Sequence, residues 1–214
     1  MAVTAGRHPE LVVAARAPTG LETLDVRKLG MWVFLGSECV FFGALITTYF
    51  VYRPMILAGQ GDPFGRKSYE LLNIPFTALL AFILLLSSLT MVLALNAIQR
   101  NKRRLGPFWL LATAFLGSMF LGGQALEFTK LAVEGVTLAS GAFGRCFLIL
   151  TGFHGTHVFI GVLWLLACFV RAMGGGFHGG NYTGPEICGL YWHFVDVVWV
   201  VIFALVYLVD VPVS

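Results

Sequence analysis

The chain has 214 residues, of which 58% are hydrophobic and only 12% are charged. Soluble domains carry about 25% charged residues. So little charge cannot cover the surface of a water-soluble globule of this size, which argues against a cytosolic enzyme. The net charge of +3 and the scattered Pro and Gly residues also argue against a nucleic-acid-binding arm and a disordered chain.

Five apolar runs, each long enough to cross a membrane, occupy most of the sequence. A helix needs about 20 residues to cross about 30 Å of hydrocarbon, and no run alternates as a β-barrel strand does. We therefore predict an all-α integral membrane protein, with a polar tail at residues 1–28 and one transmembrane domain at residues 29–210. The predicted spans cover residues 29–52, 74–99, 105–126, 146–170 and 190–209.

Lys and Arg residues are distributed unevenly between the two sides of the predicted bundle. With five spans, the N-terminus shares a side with the second and fourth loops. That side holds nine cations: Arg7, Arg16, Arg27, Lys28, Arg100, Lys102, Arg103, Arg104 and Arg171. The other side holds five: Arg53, Arg66, Lys67, Lys130 and Arg145. Cytoplasmic loops carry an excess of Lys and Arg, so we predict a cytoplasmic N-terminus and an external C-terminus.

Five ionisable side chains fall inside the predicted spans, where such groups are costly and are functional candidates: Glu38, His154, His157, His193 and Asp196. At about 1.5 Å of rise per residue, Glu38 lies about 13 Å and His157 about 14 Å from the cytoplasmic side. We predict a hydrogen bond between these two side chains, joining the first and fourth helices. His154 and His157 share a helix face at a spacing of three, as do His193 and Asp196.

Three interpretations of this intramembrane polar cluster compete. A haem or metal site needs two His on facing helices at matched depth, and the depths of His157 and His193 differ by about 9 Å. A proton path would use Glu38, His157, His193 and Asp196. Interhelical hydrogen bonds that fix packing, worth about 0.6–2 kcal/mol each in membranes, are favoured, and they are compatible with a proton path.

Other polar and aromatic residues are interpreted as parts of the scaffold. The four cysteines show no C-x-x-C spacing and are interpreted as small apolar residues. The nineteen Phe residues are predicted to pack or to face lipid. Three tryptophans near span ends are predicted to anchor helices at the membrane interface: Trp32, Trp109 and Trp192.

Several segments match, in order along the chain, the motifs of one family. Residues 37–42 (SECVFF) resemble its S-E-x-x-F-F motif, and residues 124–128 (QALEF) resemble its Q-A-x-E-Y segment. Residues 151–161 (TGFHGTHVFIG) resemble its T-G-F-H-G-x-H-V motif, and residues 191–199 (YWHFVDVVW) resemble the signature of its last helix. Over residues 29–210 the chain thus resembles subunit III of the haem–copper oxygen reductases.

The resemblance implies a fold and a set of roles. The long form of this subunit has seven helices around a lipid-filled cleft, and this chain resembles the short bacterial form with five. It implies a subunit without a redox centre that packs against catalytic subunit I, sustains its turnover and proton uptake, and holds phospholipid. Haems and copper are expected in partner subunits. The resemblance matches Glu38, His154 and His157 to the family's intramembrane Glu and paired His, and Arg171 to a lipid head-group contact.

We therefore predict the non-redox third subunit of a proton-pumping terminal oxidase in a prokaryotic plasma membrane, with subunits I and II and membrane lipids as partners. The five His of the chain are fewer than haem and copper ligation in the catalytic subunit requires. The alternatives are a related accessory subunit linked to nitric oxide reduction, and an independent transporter or membrane cytochrome. No nucleic-acid partner is expected. Supercomplex membership and the electron donor, cytochrome c or quinol, stay open.

Overall fold

The computed structural model describes residues 25–58, 72–177 and 182–209, and it confirms the predicted all-α fold. Five helices are long and apolar enough to cross a membrane, and the described residues contain no strand. The fifth helix continues directly into a π-helical turn, Phe203–Leu208. The helices are α1 (Val26–Leu57), α2 (Ile74–Gln99), α3 (Leu105–Val133), α4 (Ala142–Met173) and α5 (Thr183–Ile202).

Most helices extend beyond the predicted spans, because hydropathy marks the hydrocarbon crossing and not the helix ends. α1 begins within the predicted polar tail, where the Asp25 carboxylate accepts a hydrogen bond from the Arg27 amide at 3.0 Å and so caps the helix. α3 continues to Val133, so Glu127 lies within the helix rather than in the loop predicted after residue 126. α4 and α5 also begin several residues earlier than predicted.

The connection between α2 and α3 is a tight, well-bonded turn. Asn101 adopts a left-handed conformation with φ of 54°, which Asn tolerates better than most residues. The Lys102 amide donates to the Ala97 carbonyl at 2.9 Å and closes the end of α2. α2 and α3 therefore pack side by side as an antiparallel hairpin, against which α4 and α5 are placed.

Trp192 of α5 lies where four helices meet. Its indole nitrogen donates to the Ser87 hydroxyl of α2 at 2.9 Å. A Cβ atom at Gly117 of α3 would lie 2.5 Å from the ring, and one at Gly161 of α4 would lie 2.9 Å from it. The prediction that Trp192 anchors the membrane interface is wrong: its side chain is 1% exposed, because two facing glycines leave room for the indole inside the bundle.

α1 is the most peripheral helix. It packs against α4 and α5 along a narrow seam. The buried residues of this seam recur every seven positions: Leu35, Phe42, Tyr49 and Ile56. Most other apolar side chains of α1, including Trp32, stay exposed on the outer surface of the bundle.

Gly117→Ala should destabilise the bundle by about 1–3 kcal/mol, because the added methyl group overlaps a rigid, buried indole. Gly122→Ala on the same helix is the matched control, since a Cβ atom there meets no atom within 4 Å. The measurement is the thermal unfolding of the detergent-solubilised protein. Equal unfolding temperatures for the two variants would contradict the packing described for Trp192.

Candidate functional site

Glu38 and His157 form the predicted hydrogen bond between α1 and α4. The distance from His157 Nε2 to Glu38 Oε2 is 3.1 Å, and both side chains are largely buried. The other ring nitrogen, Nδ1, lies 2.8 Å from the Phe153 carbonyl oxygen, which only accepts, so Nδ1 carries a proton. The contact between Nε2 and Oε2 therefore holds one further proton, which sits either on the carboxyl group or on the imidazole.

Aromatic rings and a backbone contact fix the position of His157. The Phe42 ring packs against the imidazole edge to face at 5.1 Å, and the Phe41 ring lies 6.4 Å away. The Tyr191 hydroxyl of α5 donates to the His157 carbonyl oxygen at 3.0 Å. The pair with Glu38 is thus held by three helices in an environment where apolar surfaces surround the exchangeable proton.

His154 does not take part in the Glu38–His157 hydrogen bond, although it lies one turn from His157. Its side chain is fully buried and its Nε2 lies 3.1 Å from the Val195 carbonyl oxygen of α5. The imidazole packs against the Trp199 ring at 4.9 Å and the Phe120 ring at 5.7 Å. Its Nδ1 has no hydrogen-bond partner among the described residues. His154 and His157 share a face of α4 but do not bond to each other, because each side chain turns toward a different neighbouring helix.

His193 and Asp196 form a second polar group, between α5 and α2. His193 Nδ1 lies 2.9 Å from the Ser88 hydroxyl of α2. Asp196, three residues further along α5, is 5% exposed and lies near both groups, but no hydrogen bond joins its carboxyl group to Ser88 in the described residues. The five predicted residues are therefore divided between two groups on different sides of α5, with His154 in the packed interior. Ser88, the hydroxyl partner of His193, was not among the predicted site residues.

A third buried polar group involves residues that sequence reasoning did not single out as a site. Glu127 of α3 accepts hydrogen bonds from the Thr77 hydroxyl at 2.9 Å and from the Tyr207 hydroxyl at 3.1 Å. Tyr207 lies in the π-helical turn, which changes the register of α5 near its end and directs the phenol toward α3. The Q-A-L-E-F segment could have indicated Glu127 as a site residue, but the hydropathy pattern placed this residue in the loop after the third span.

The face at which α1 begins, which we name the N-terminal face, carries a group of polar side chains. Lys28 of α1 forms an ion pair with Glu186 of α5. Gln99 at the end of α2 donates to Glu186 Oε1 at 3.2 Å. Arg171, in the last turn of α4, places its guanidinium carbon 5.6 Å from the centre of the Phe177 ring. No carboxylate of the described residues pairs with Arg171.

Metal ligation is not indicated by the described residues, which contain no group of three or more His, Cys, Asp or Glu placed to hold an ion. His157 and His193 bond to different neighbours and do not face one another. The fold and these polar groups together define a multi-pass helical membrane protein with several polar contacts between its helices.

Comparison with known proteins gives the family. The family model described as cytochrome c oxidase subunit III matches residues 12–211. A probable quinol oxidase subunit 3 of Staphylococcus saprophyticus is 36% identical over 190 residues, covering 89% of this chain and 92% of the relative. A protein of the same name from Staphylococcus aureus strain USA300 matches with the same identity and coverage.

The chain belongs to the cytochrome c oxidase subunit III family. It is therefore an accessory subunit of a haem–copper oxidase and a multi-pass protein of a prokaryotic membrane. The resemblance read from the sequence motifs is confirmed.

Glu38→Gln should keep the bundle nearly as stable as the native protein, because the amide can donate to His157 Nε2 while Nδ1 stays bonded to Phe153. Glu38→Leu should lose about 0.6–2 kcal/mol relative to the Gln variant. Ser37→Ala is the matched control, since the exposed Ser37 hydroxyl bonds only to the Phe34 carbonyl of its own helix. The measurement is thermal unfolding in detergent, and equal stability of the Leu and Gln variants would show that the hydrogen bond contributes nothing.

Proposed function

We propose that this chain supports proton uptake and sustained turnover by the catalytic subunit of a proton-pumping terminal oxidase, and that it has no redox centre and no oxidase activity alone. The observation that carries the proposal is the Glu38–His157 pair. It holds one exchangeable proton inside the membrane, between two helices. A subunit with such groups can accept and return protons without transferring electrons.

The proposed orientation places the N-terminal face in the cytoplasm. The cations Lys28, Arg103 and Arg171 all lie at that face, as the excess of positive charge on cytoplasmic loops requires. Glu38, His193 and Asp196 then lie in the cytoplasmic half of the bilayer, the side from which an oxidase takes its protons. Subunits I and II of the oxidase are the proposed partners, within a larger respiratory supercomplex or outside one.

We infer the electron donor of the complex from the names of the relatives, because the geometry of this chain does not indicate it. The staphylococcal relatives are named as subunits of a quinol oxidase, which favours quinol. The description of the family model names cytochrome c, which is the alternative. Identification of the co-purifying subunits decides between them, because a cytochrome c oxidase should contain a subunit II with a copper-binding domain.

Phospholipid binding is the second proposed role, with Arg171 as the head-group contact. The exposed guanidinium lies at the end of α4, and the Phe177 ring supports its planar face. Its donors have no carboxylate partner in the described part of the chain, so they are available to a phosphate group. Val170 and Met173, both well exposed beside it, provide an apolar surface that suits an acyl chain.

Removal of this chain from the purified complex should leave the haem spectrum unchanged while turnover slows or is lost progressively. The reason is that the chain supplies protons and protection rather than redox groups. The measurement is oxygen uptake over many turnovers with and without the chain. Equal initial rates and equal lifetimes would exclude a role in proton delivery or turnover protection.

A complex that carries Glu38→Gln distinguishes a role in proton exchange from a role in packing, in the same oxygen uptake assay. The amide keeps the hydrogen bond to His157 but cannot take up a proton. A shortened lifetime in an assembled Glu38→Gln complex supports proton exchange at this pair. A native lifetime would leave the pair with a packing role only.

Arg171→Ala should reduce the phospholipid retained by the purified complex, because the phosphate loses its planar, bidentate donor. Arg103→Ala is the matched control, since Arg103 is an exposed cation at the same face. The measurement is the amount of phospholipid per complex after extensive detergent washing. Equal retention in the two variants and the native complex would exclude Arg171 as a specific head-group contact.

A further inference from the structure

A cavity of about 260 Å³ lies between α1, α2 and α5 at the N-terminal face. α1 and α2 both pack against α5 but not extensively against each other, so the cavity lies between them with α5 at its back. Its walls are mostly aliphatic and include Met91 of α2 and Leu190 of α5. It is one of the larger spaces in the described bundle, and neither the Glu38–His157 pair nor Arg171 lines it.

Polar side chains lie at the two ends of this cavity. The ion pair of Lys28 and Glu186, with Gln99 bonded to Glu186, lies at the end near the N-terminal face. His193 lines the deeper end, seven residues beyond Glu186 on α5 and therefore about 10 Å further into the membrane. The cavity thus extends from charged groups at head-group depth to an imidazole in the membrane interior.

His193 lines the cavity, and only one of its two ring nitrogens has a hydrogen-bond partner among the described residues. Nδ1 bonds to the Ser88 hydroxyl at 2.9 Å, whereas no described residue bonds to Nε2. Asp196 lies near Ser88 and His193, and its Oδ1 atom is buried and has no hydrogen-bond partner among the described residues. If the Ser88 hydroxyl turns to donate to an ionised Asp196, Ser88 must accept from Nδ1–H, and Nε2 of His193 then carries a lone pair.

We propose that this cavity is a water-filled inlet through which His193 takes up protons from the N-terminal face and passes them to Asp196. The proposal rests on the proposed function, for which it names the place of proton entry. An imidazole nitrogen without a partner is costly in hydrocarbon, and water is the ligand that satisfies it. At about 30 Å³ per molecule the cavity has room for about eight waters, which His193, Lys28 and Glu186 can anchor.

The transfer conserves atoms and charge. A hydronium ion in the cavity gives one proton to Nε2 of His193 and becomes water. Nδ1–H then passes its proton to the Ser88 oxygen, and the Ser88 hydroxyl proton passes to the Asp196 carboxylate. His193 is neutral again with its proton on Nε2, and Asp196 is a neutral carboxylic acid. Return of the proton to the cavity reverses each step.

The first test measures water access in the intact oxidase complex, with Cys39→Ser as the background. A cysteine thiolate attacks the thiosulfonate reagent, forming a mixed disulfide and releasing methanesulfinate, and the thiolate forms in water and not in hydrocarbon. The positively charged reagent 2-aminoethyl methanethiosulfonate should modify Leu190→Cys about tenfold faster than Leu89→Cys, or more. Leu89 lies on α2, is 55% exposed and does not line the cavity, so it reports a lipid-facing or partner-facing position. Equal rates, or no reaction at either position, would overturn the inlet.

A second measurement uses the native residues and does not depend on how a variant folds. Diethyl pyrocarbonate reacts with unprotonated imidazole, and mass spectrometry identifies the modified histidine. His193 should be modified in the intact complex, whereas the fully buried His154 should not. Modification of His193 no faster than that of His154 would contradict access from the cavity.

The relay through Ser88 is tested by turnover. Ser88→Ala should leave the labelling of Leu190→Cys unchanged but shorten the active lifetime of the complex. Ser118→Ala is the control, because its hydroxyl bonds only to the Ala114 carbonyl of its own helix. If removal of the whole chain shortens the active lifetime of the complex but Ser88→Ala does not, the relay is overturned and the proposed function stands. If removal of the chain has no effect but the cavity is labelled, the proposed function fails and the inlet remains.

Discussion

The arrangement of this bundle depends on Trp192, because one side chain contacts three other helices. Its nitrogen bonds to Ser87 of α2, and its ring fills the space above Gly117 of α3 and Gly161 of α4. In lipid the hydrophobic effect does not draw helices together, so close packing and interhelical hydrogen bonds must do so. The indole provides both, and it sets the rotation of α5. That rotation directs His193 and Asp196 toward α2, and it directs the Val195 carbonyl and Tyr191 toward α4.

Five ionisable side chains inside the helices bond to a neighbouring helix: Glu38, Glu127, His154, His157 and His193. Glu38 bonds to His157 across α1 and α4, and Glu127 bonds to Thr77 and Tyr207 across α2, α3 and α5. An unpaired polar group in hydrocarbon is costly, so these residues specify which helix faces meet. The same bonds leave protons shared between side chains, which is why a scaffold of this kind can also exchange protons.

The sequence predicted the features that depend on hydropathy and depth, and it missed those that depend on helix rotation. Five spans followed from apolar length, and the Glu38–His157 contact followed from matched depth on antiparallel helices together with the family resemblance. The burial of Trp192 was not predictable, because it requires glycines of two other helices to face the indole. The bonds of Tyr207 to Glu127 depend on a π-helical turn that no periodicity in the sequence marks.

α1 shows how few contacts hold a peripheral membrane helix and why its polar residues matter. Its buried apolar residues form a single seam with one side chain in every seven positions. Three polar contacts act with that seam at three depths: Lys28 with Glu186, Glu38 with His157, and Arg53 with the Val209 carbonyl at 3.3 Å. The first and last tie the helix ends to α5 and its continuation, and the middle one ties α1 to α4. Loss of the middle contact would leave the central part of α1 attached by the apolar seam alone, so Glu38 has a structural role whether or not its proton moves.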